Sequence, residues 1–204
     1  LASALHPDKQ LRLKAREVLH LDSITAFDKA FPTKKGWLIV PLVGKRAGVV
    51  AELNASFHKA KGKQADNRKV NATSLINELV HEAEDRTYDG VLVFIDEMGK
   101  FLEASAMGHG DDVYFFQELA EAASRANGKL VVVGVLHQSF AQYGSRLGVD
   151  TRNDWSKVQG RYVDLPFVAA SDEVVELIGR AIEADRRPPW MQDVSNSVAE
   201  SIRS

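Results

Sequence analysis

The chain has 204 residues, of which 45% are hydrophobic and 26% are charged, which is the balance of a globular protein with one sizeable core. The net charge of −2 gives no electrostatic argument for nucleic acid or an anionic membrane, and the absence of cysteine excludes disulfides and thiolate metal sites. No apolar run approaches the roughly 20 residues that a membrane-spanning helix needs. We therefore expect no membrane contact and, given the absence of cysteine, a cytoplasmic location.

The first part of the chain predicts helices around one strand. Residues 1–7 resemble the end of a helix that a proline stops, and Asp8–Leu19 is a charged, loosely periodic helical segment. The apolar run Trp37–Val43 predicts a strand. Within it, Pro41 has no N–H to donate, so this strand is expected at a sheet edge or a bulge. Ala47–Ala60 is predicted as the next helix.

Lys59–Lys69 is polar and basic, and it precedes a strongly periodic segment. A basic run can contact phosphate backbones, but no aromatic residue is interleaved here, so a solvated loop is the favoured interpretation. Val70–Arg86 has apolar residues at helical spacing, which predicts a helix with one buried face. We interpret that face as core and not as a site. It contains Leu75, Ile76, Leu79, Val80 and Ala83.

Two carboxylates follow a short apolar strand in the middle of the chain. The run Val91–Ile95 predicts a fully buried strand, and Asp96 and Glu97 stand where it ends. Parallel α/β sheets bind ligands beyond the carboxyl ends of their strands, so both carboxylates would face a site. A magnesium ion on phosphates accepts one or two carboxylates and keeps its waters, and a second carboxylate can orient or deprotonate a water. The alternative is a buried strand followed by an acidic helix start.

A glycine-rich loop after this region contains His109, Asp111 and Asp112. These are metal-ligating types, but they crowd into one loop without a second histidine, so helix capping by one of the aspartates is the favoured interpretation. The helix that follows is predicted over Val113–Asn127, with a left-handed cap at Asn127-Gly128. Its buried stripe is predicted to contain Val113, Phe116, Leu119, Ala120 and Ala123.

The last part of the chain predicts a second buried strand, Lys129–Leu136, followed at once by His137 and Gln138. A short strand is predicted over Gly160–Phe167 and a capped helix from Ser171. Apolar strands that alternate with amphipathic helices imply parallel pairing and right-handed crossovers. We therefore predict a three-layer α/β/α domain with a mostly parallel sheet. Shorter helices are predicted over Lys100–Ala106, Ser139–Leu147 and Thr151–Gln159.

The order of these parts resembles the P-loop ATPases of the AAA-plus and related signal-transduction type. Val91–Glu97 resembles their Walker B motif, an apolar strand that ends in Asp-Glu. The resemblance implies ATP and Mg²⁺ as cofactors, with Asp96 holding the ion through water and Glu97 as the catalytic residue that handles the attacking water. His137 or Gln138 would be the "sensor 1" residue that contacts this water or the terminal phosphate, although Asn, Ser or Thr is usual there.

Gly160-Arg161-Tyr162, just before a short strand, is similar to the AAA-plus segment in which an arginine reaches the nucleotide of a neighbouring subunit. The planar, always-charged guanidinium suits charge that develops on transferring phosphoryl oxygens. The resemblance makes Arg161 the first choice for this finger, ahead of Arg152 and Arg146, and it implies a homo-oligomer. The alternative for each of them is a surface arginine in a salt bridge.

The sequence contains no Walker A loop, the Gly-x-x-x-x-Gly-Lys-Ser/Thr pattern whose N–H groups bind phosphates. Gly44-Lys45-Arg46 and Gly62-Lys63-Gln64 both fail the pattern. We expect such a loop and the first, central strand of the sheet to precede Leu1. Residues 1–184 would then be a truncated ATPase core, and residues 185–204 a C-terminal segment that starts a helical region or a tail.

Within this superfamily, the chain resembles large bacterial phage-defence ATPases such as the BREX type. The resemblance lies in the amino-acid sequences of Phe94–Glu103, Leu136–Phe140 and Lys157–Tyr162. The resemblance implies an ATP-hydrolysing motor or switch domain of a larger protein, in bacterial defence or a DNA-related process, with nucleic acid or partner proteins nearby. The chain alone is expected to be inactive. The alternatives are a non-catalytic interaction module on a degenerate P-loop fold, and a magnesium-dependent nuclease or phosphatase that uses Asp96 and Glu97.

Overall fold

The computed structural model describes residues 1–21, 25–64, 70–144, 147, 149–166 and 175. The chain divides into one compact unit over residues 1–163 and a second over residues 164–204. The helix predicted from Ser171 and the predicted boundary after residue 184 lie outside the described residues. The helices and strands that follow belong to the first unit.

The described part of the first unit contains three strands and nine helices. In chain order they are α1 (Ala2–Leu5), α2 (Lys9–Val18), α3 (Thr25–Ala30), β1 (Leu38–Val43), α4 (Val49–Ala60), α5 (Ala72–Glu84), β2 (Val91–Asp96), α6 (Gly99–Ala106), α7 (Tyr114–Arg125), β3 (Leu130–Gly134), α8 (Phe140–Tyr143) and α9 (Val149–Gln159). None of these helices is long and apolar enough to cross a lipid bilayer.

The strands form a parallel sheet in the order β1-β2-β3, in which Val91 on β2 is paired with Leu38 on β1 and Leu130 on β3. This confirms the predicted α/β class and the parallel pairing. Side chains alternate between the two faces of a strand, and both faces of β2 are covered. Because all three strands run the same way, their carboxyl ends lie at one edge of the sheet.

The larger core lies on the sheet face that carries Val91, Val93 and Ile95, all of them fully buried. Helices α4 to α7 contribute most of its other members. The predicted stripe of α5 is confirmed, with Val80 half-buried at its margin. The predicted stripe of α7 is confirmed as well, with Ala123 only half-buried, and two further buried residues, Phe115 and Ala122, belong to that helix.

The opposite face of the sheet carries a smaller core of Leu5, Trp37 and Leu92, each fully buried. Phe31 packs edge-on against Trp37, with the ring centroids 5.5 Å apart. The Trp37 indole N–H donates to the Pro32 carbonyl oxygen at 2.8 Å, which satisfies the polar atom of this buried ring. Phe27, on α3, packs against the same cluster, and α3 was not predicted from the sequence.

Helix α2 buries arginines and exposes aliphatic side chains, which explains its poor apolar periodicity. Arg12 donates to the carbonyl oxygens of His6 and Pro7, and Arg16 pairs with Asp28 at 2.7 Å. Asp8 begins the helix by accepting two N–H groups of its first turn. The exposed aliphatic side chains are those of Leu11, Leu13 and Val18, together with Leu19 at the C-cap.

The two edges of the sheet differ. Leu38 and Gly44 donate their N–H groups toward β2, so the alternation of the strand directs Pro41 outward, and the predicted edge position of this proline is confirmed. On β3, Val135 exchanges hydrogen bonds with the β2 segment, so the backbone of Val132 faces away from the sheet. Within the described residues, no strand pairs with this outer edge of β3.

The strand predicted over Gly160–Phe167 is wrong for residues 160–166, which contain no strand. Val163 is 85% exposed, so this apolar side chain lacks the packing that a strand residue needs. Strand β3 ends at Gly134, two residues before the predicted end. The left-handed end of α7 is confirmed, since φ is 50° at Asn127 and 78° at Gly128.

Candidate functional site

A cavity of about 580 Å³ lies at the carboxyl ends of the strands. It is formed by the turn after β1, the junction between β2 and α6, and the turn after β3. Three of the predicted site residues, Glu97, His137 and Gln138, therefore line one space, and Asp96 ends the strand beside them. The other lining residues are Gly44, Lys45, Arg46, Gly99, Lys100, Glu103 and Tyr143.

Glu97 has a left-handed backbone with φ of 50°, which is uncommon for a residue with a side chain. Its N–H donates to the Asp96 Oδ1 atom at 2.9 Å, so the first carboxylate orients the peptide of the second. Conformations of this kind cost about 1–3 kcal/mol and persist where the surroundings enforce them, often at functional sites. The strained residue here is one that the sequence predicted to be catalytic.

Gly44 helps to hold Glu97 in its left-handed conformation. Its N–H donates to the Asp96 carbonyl oxygen at 2.7 Å, and a Cβ atom at this position would lie 1.9 Å from the Glu97 carbonyl oxygen. Only a residue without a side chain allows this approach of the two backbones. The turn after β1 is thus fixed against the end of β2.

The Glu97 carboxylate has two basic neighbours. Its Oε2 atom lies 2.5 Å from the Lys100 Nζ, and its Oε1 atom lies 3.7 Å from the His137 Nε2. The hydrogen bond from Lys100, with smaller contributions from the charges of Lys100 and His137, lowers the pKa of Glu97 below its ordinary value. Glu97 is therefore ionised at neutral pH, which suits an acceptor that orients a water molecule better than a strong base.

Asp96 is exposed at the end of β2, and its Oδ2 atom has no hydrogen-bond partner among the described residues. No group of three or more metal-ligating side chains occurs in the described part of the chain. A two-carboxylate edge fits Mg²⁺, which is commonly bound by one or two carboxylates together with phosphates and waters. It does not fit a metal held by protein ligands alone.

Lys45, Arg46 and Lys100 place three cationic side chains around the same cavity. In the sequence, Lys45 and Arg46 belong to a Gly-Lys-Arg segment that fails the Walker A pattern. Their position directly after a predicted strand could have identified them, because every residue that follows a parallel strand lies at the same edge of the sheet. The cavity is therefore mixed in charge, with cations beside the two predicted carboxylates.

Arg161 does not line this cavity. Its Nη2 atom lies 3.2 Å from the Glu121 Oε1 atom of α7, in a second cavity of about 510 Å³ that Arg125 and Ser124 also line. The neighbouring Tyr162 donates its hydroxyl group to the Phe116 carbonyl oxygen at 2.8 Å, which fixes this turn on α7. Of the two other candidates, Arg152 is exposed on α9, and Arg146 lies outside the described residues.

The acidic loop before α7 has capping contacts. Asp112 Oδ1 accepts the N–H of Tyr114, the first residue of α7, at 2.9 Å, although the N-cap position itself is Val113 and has no side-chain cap. Asp111 Oδ2 accepts the N–H of Val50 at 2.8 Å and so serves the first turn of α4 instead. These contacts explain the two aspartates without a metal ion.

Comparison of the chain with protein-family models, with curated proteins and with solved structures finds no match. The resemblance to P-loop ATPases therefore rests on the residues of this chain and on their arrangement.

Proposed function

We propose that this chain carries the magnesium- and water-handling part of an ATP-hydrolysing motor or switch domain, in a larger cytoplasmic protein of the AAA-plus or signal-transduction ATPase type. The observation that carries the proposal is the position of Asp96 and Glu97 at the end of the middle strand of a parallel sheet. His137 and Gln138 reach the same cavity from the next strand.

In this proposal the two carboxylates have separate tasks. Asp96, with one oxygen engaged by the Glu97 N–H, offers its other oxygen to the water shell of Mg²⁺, which neutralises charge on the phosphates when it is bound. Glu97 accepts a hydrogen bond from the attacking water and orients it. His137 or Gln138 donates to that water or to the terminal phosphate. Catalysis of this kind consists of positioning and electrostatics.

The outer edge of β3, with which no strand of the described residues pairs, supports the proposal. The resemblance implies one further strand, which would lie at the centre of the complete sheet. That strand would have to pair with one of the two outer edges of the present sheet, β1 or β3. The outer edge of β1 contains Pro41, which cannot donate a hydrogen bond, whereas the outer edge of β3 has intact N–H groups from Leu130 to Gly134. A further strand beside β3 would therefore find N–H donors along its whole length, which supports the proposal.

In the proposed homo-oligomer, Arg161 would contact the nucleotide bound to a neighbouring subunit. Its side chain is 52% exposed and lines a cavity separate from that of Glu97, which is compatible with action on another subunit's nucleotide. Bacterial defence or a DNA-related process, with nucleic acid or partner proteins bound to the larger protein, remains the expected context from the resemblance.

The second candidate function is a non-catalytic interaction module on a degenerate P-loop fold. Two observations favour it: the chain has no Walker A sequence, and the Glu97 carboxylate is hydrogen-bonded to Lys100. The magnesium-dependent nuclease or phosphatase is disfavoured. Two-metal catalysis needs a larger cluster of carboxylates, and no group of three or more metal-ligating side chains occurs among the described residues.

The test is ATP hydrolysis by the product of the complete gene. Glu97→Gln should abolish Mg-ATP turnover and leave ATP binding intact, while the control Glu84→Gln, an exposed change on α5, should leave both intact. Hydrolysis by Glu97→Gln at the original rate would remove Glu97 from the mechanism, and a gene product without any turnover would favour the interaction module. Micromolar binding of Mg-ATP by residues 1–204 alone in isothermal titration would contradict the expected dependence on a missing phosphate loop.

The trans role of Arg161 has its own test. Arg161→Ala and Glu97→Gln should each be inactive alone, and mixing them should restore part of the activity, because one subunit then supplies the intact arginine and the other the intact glutamate. A monomeric and fully active gene product would exclude the trans role.

A further inference from the structure

Each cationic side chain of the cavity at the strand ends is paired with its own glutamate. Lys45 and Arg46 come from the turn after β1, and Lys100 comes from the first turn of α6. The pairs are Lys45 with Glu52, Arg46 with Glu103 and Lys100 with Glu97, at 2.9, 3.3 and 2.5 Å between the nitrogen and oxygen atoms.

These three pairs are easily exchanged. The cationic side chains are 60%, 73% and 45% exposed in the same order, and exposed ion pairs contribute little to stability because water and salt screen them. Their backbones, by contrast, are fixed: the close approach of Gly44 to Glu97 holds the turn after β1 against the start of α6. Three exposed cationic side chains, two of them from a turn that packs against the end of β2, therefore converge on one cavity of about 580 Å³.

We propose that Lys45, Arg46 and Lys100 bind a polyphosphate group, a chain of two or three phosphates such as that of a nucleoside triphosphate, and that the glutamates hold these side chains in the absence of ligand. The identification of the polyphosphate with that of ATP rests on the proposed function. The binding of the anion requires no hydrolysis.

The chemistry of the three side chains fits this ligand. The guanidinium group of Arg46 can donate two parallel hydrogen bonds to phosphate oxygens, and the ammonium groups of Lys45 and Lys100 act as point charges. A polyphosphate carries several negative charges, so it attracts all three cations at once, whereas each glutamate attracts one. The exchange also releases the Glu97 Oε2 atom from Lys100, and that atom can then accept a hydrogen bond from water.

The proposal makes opposite predictions for the two members of a pair. Arg46→Gln removes a phosphate donor and should weaken binding, whereas Glu103→Gln removes the group that competes for Arg46 and should tighten it. Lys45→Gln and Glu52→Gln form a second set with the same expected signs. Arg125→Gln is the matched control, because Arg125 is a similarly exposed arginine that pairs with a glutamate and lines the other cavity.

The experiment is an NMR titration of the ¹⁵N-labelled 204-residue chain with sodium tripolyphosphate, without Mg²⁺ and at low salt. We expect saturable shifts of the amides of Gly44, Lys45 and Lys100 with an affinity of about 1 mM, which added salt weakens. Arg46→Gln should weaken binding by about threefold to tenfold, Glu103→Gln should tighten it by about twofold to fivefold, and Arg125→Gln should change it by less than about twofold.

Two results would overturn the proposal: the absence of saturable shifts at these amides, or an affinity that Arg46→Gln and Lys45→Gln leave unchanged. All substituted side chains are exposed or half-exposed, and an unchanged amide spectrum away from the cavity verifies the fold of each variant. Repeating the titration with ATP separates a nucleotide from inorganic polyphosphate as the ligand, since only ATP can add shifts from its base.

The outcome is independent of the test of hydrolysis. If tripolyphosphate binds with the expected pattern but the complete gene product does not hydrolyse ATP, the proposed function fails and the polyphosphate site stands. If hydrolysis depends on Glu97 but the Arg46 and Lys45 variants bind tripolyphosphate as the original chain does, the polyphosphate site fails and the proposed function stands.

Discussion

The backbone of Gly44 packs directly against the carbonyl group of Glu97, with no room for a Cβ atom between them. One consequence of this packing can be measured directly. Gly44→Ala should lower the free energy of unfolding by about 1–3 kcal/mol, because the turn after β1 must move away from the end of β2. Urea denaturation of the two proteins provides the measurement.

Gly160→Ala is the control for this change. A Cβ atom at Gly160 would meet its nearest neighbour at 3.5 Å, an ordinary van der Waals distance, so this variant should retain its stability. Equal stability of the Gly44 and Gly160 variants would show that the approach of Gly44 to Glu97 is not a constraint.

The left-handed backbone of Glu97 predicts a gain of stability when the residue is replaced by one that tolerates this conformation. Asparagine does, so Glu97→Asn should raise the free energy of unfolding by about 1 kcal/mol, although it removes the exposed contact with Lys100. Thermal and urea denaturation would measure the gain. Asp96→Asn, at the neighbouring strand residue with an ordinary φ, should change stability by less than about 0.5 kcal/mol. A Glu97→Asn variant that is less stable than the original chain would contradict the interpretation of strain.

The pKa of Glu97 should depend on Lys100. The folded-state pKa lies below the ordinary value of 4.5, so the contact contributes stability above that pH and loses it as the pH falls through the lowered pKa. A ¹³C NMR titration of the Glu97 carboxyl group should show a midpoint below 4.5, and Lys100→Met should move it upward. Lys45→Met, which removes the partner of Glu52 instead, should leave the Glu97 midpoint in place. A midpoint that is insensitive to Lys100→Met would refute the assigned cause.

The hydroxyl group of Tyr162 should contribute to the stability of the first unit. It donates to the Phe116 carbonyl oxygen, so Tyr162→Phe should cost about 1 kcal/mol in urea denaturation at neutral pH. Burial also raises the pKa of this phenol, so the folded state disfavours its ionisation and stability should fall as the pH rises above 10.0. The Phe variant should lack this alkaline loss. Tyr88→Phe, a half-buried tyrosine without a hydroxyl hydrogen bond in the described structure, should cost less at neutral pH.

The parts of the fold that depend on periodicity could be predicted from the sequence. The continuous apolar runs before Asp96 and His137 predicted β2 and β3, and the helical spacing of Leu75 to Ala83 predicted the buried face of α5. Because parallel strands bind ligands beyond their carboxyl ends, the same reasoning predicted that Asp96 and Glu97 face a site, whereas His137 and Gln138 were added to it only by the resemblance.

The parts that depend on tertiary partners could not be predicted. The arginines of α2 are buried because carbonyl oxygens and Asp28 receive them, and an apolar periodicity does not report such partners. A strand needs a neighbouring strand to pair with, and a short apolar segment such as residues 160–166 does not show whether one is present. Lys45 and Arg46 belong to the site because β1 lies beside β2 in the sheet, and the local Gly-Lys-Arg sequence does not contain that order.

The two outer edges of the sheet differ in their capacity to pair with an additional strand. Beyond β1, an added strand would meet Pro41, which has no N–H group, whereas the outer edge of β3 has N–H and C=O groups with which no strand of the described residues pairs. A parallel strand added there would run beside Leu130 to Gly134 and end at the same rim as His137. Whatever loop followed such a strand would open directly onto the cavity of Glu97, so extension of the sheet and completion of the site would be one structural event.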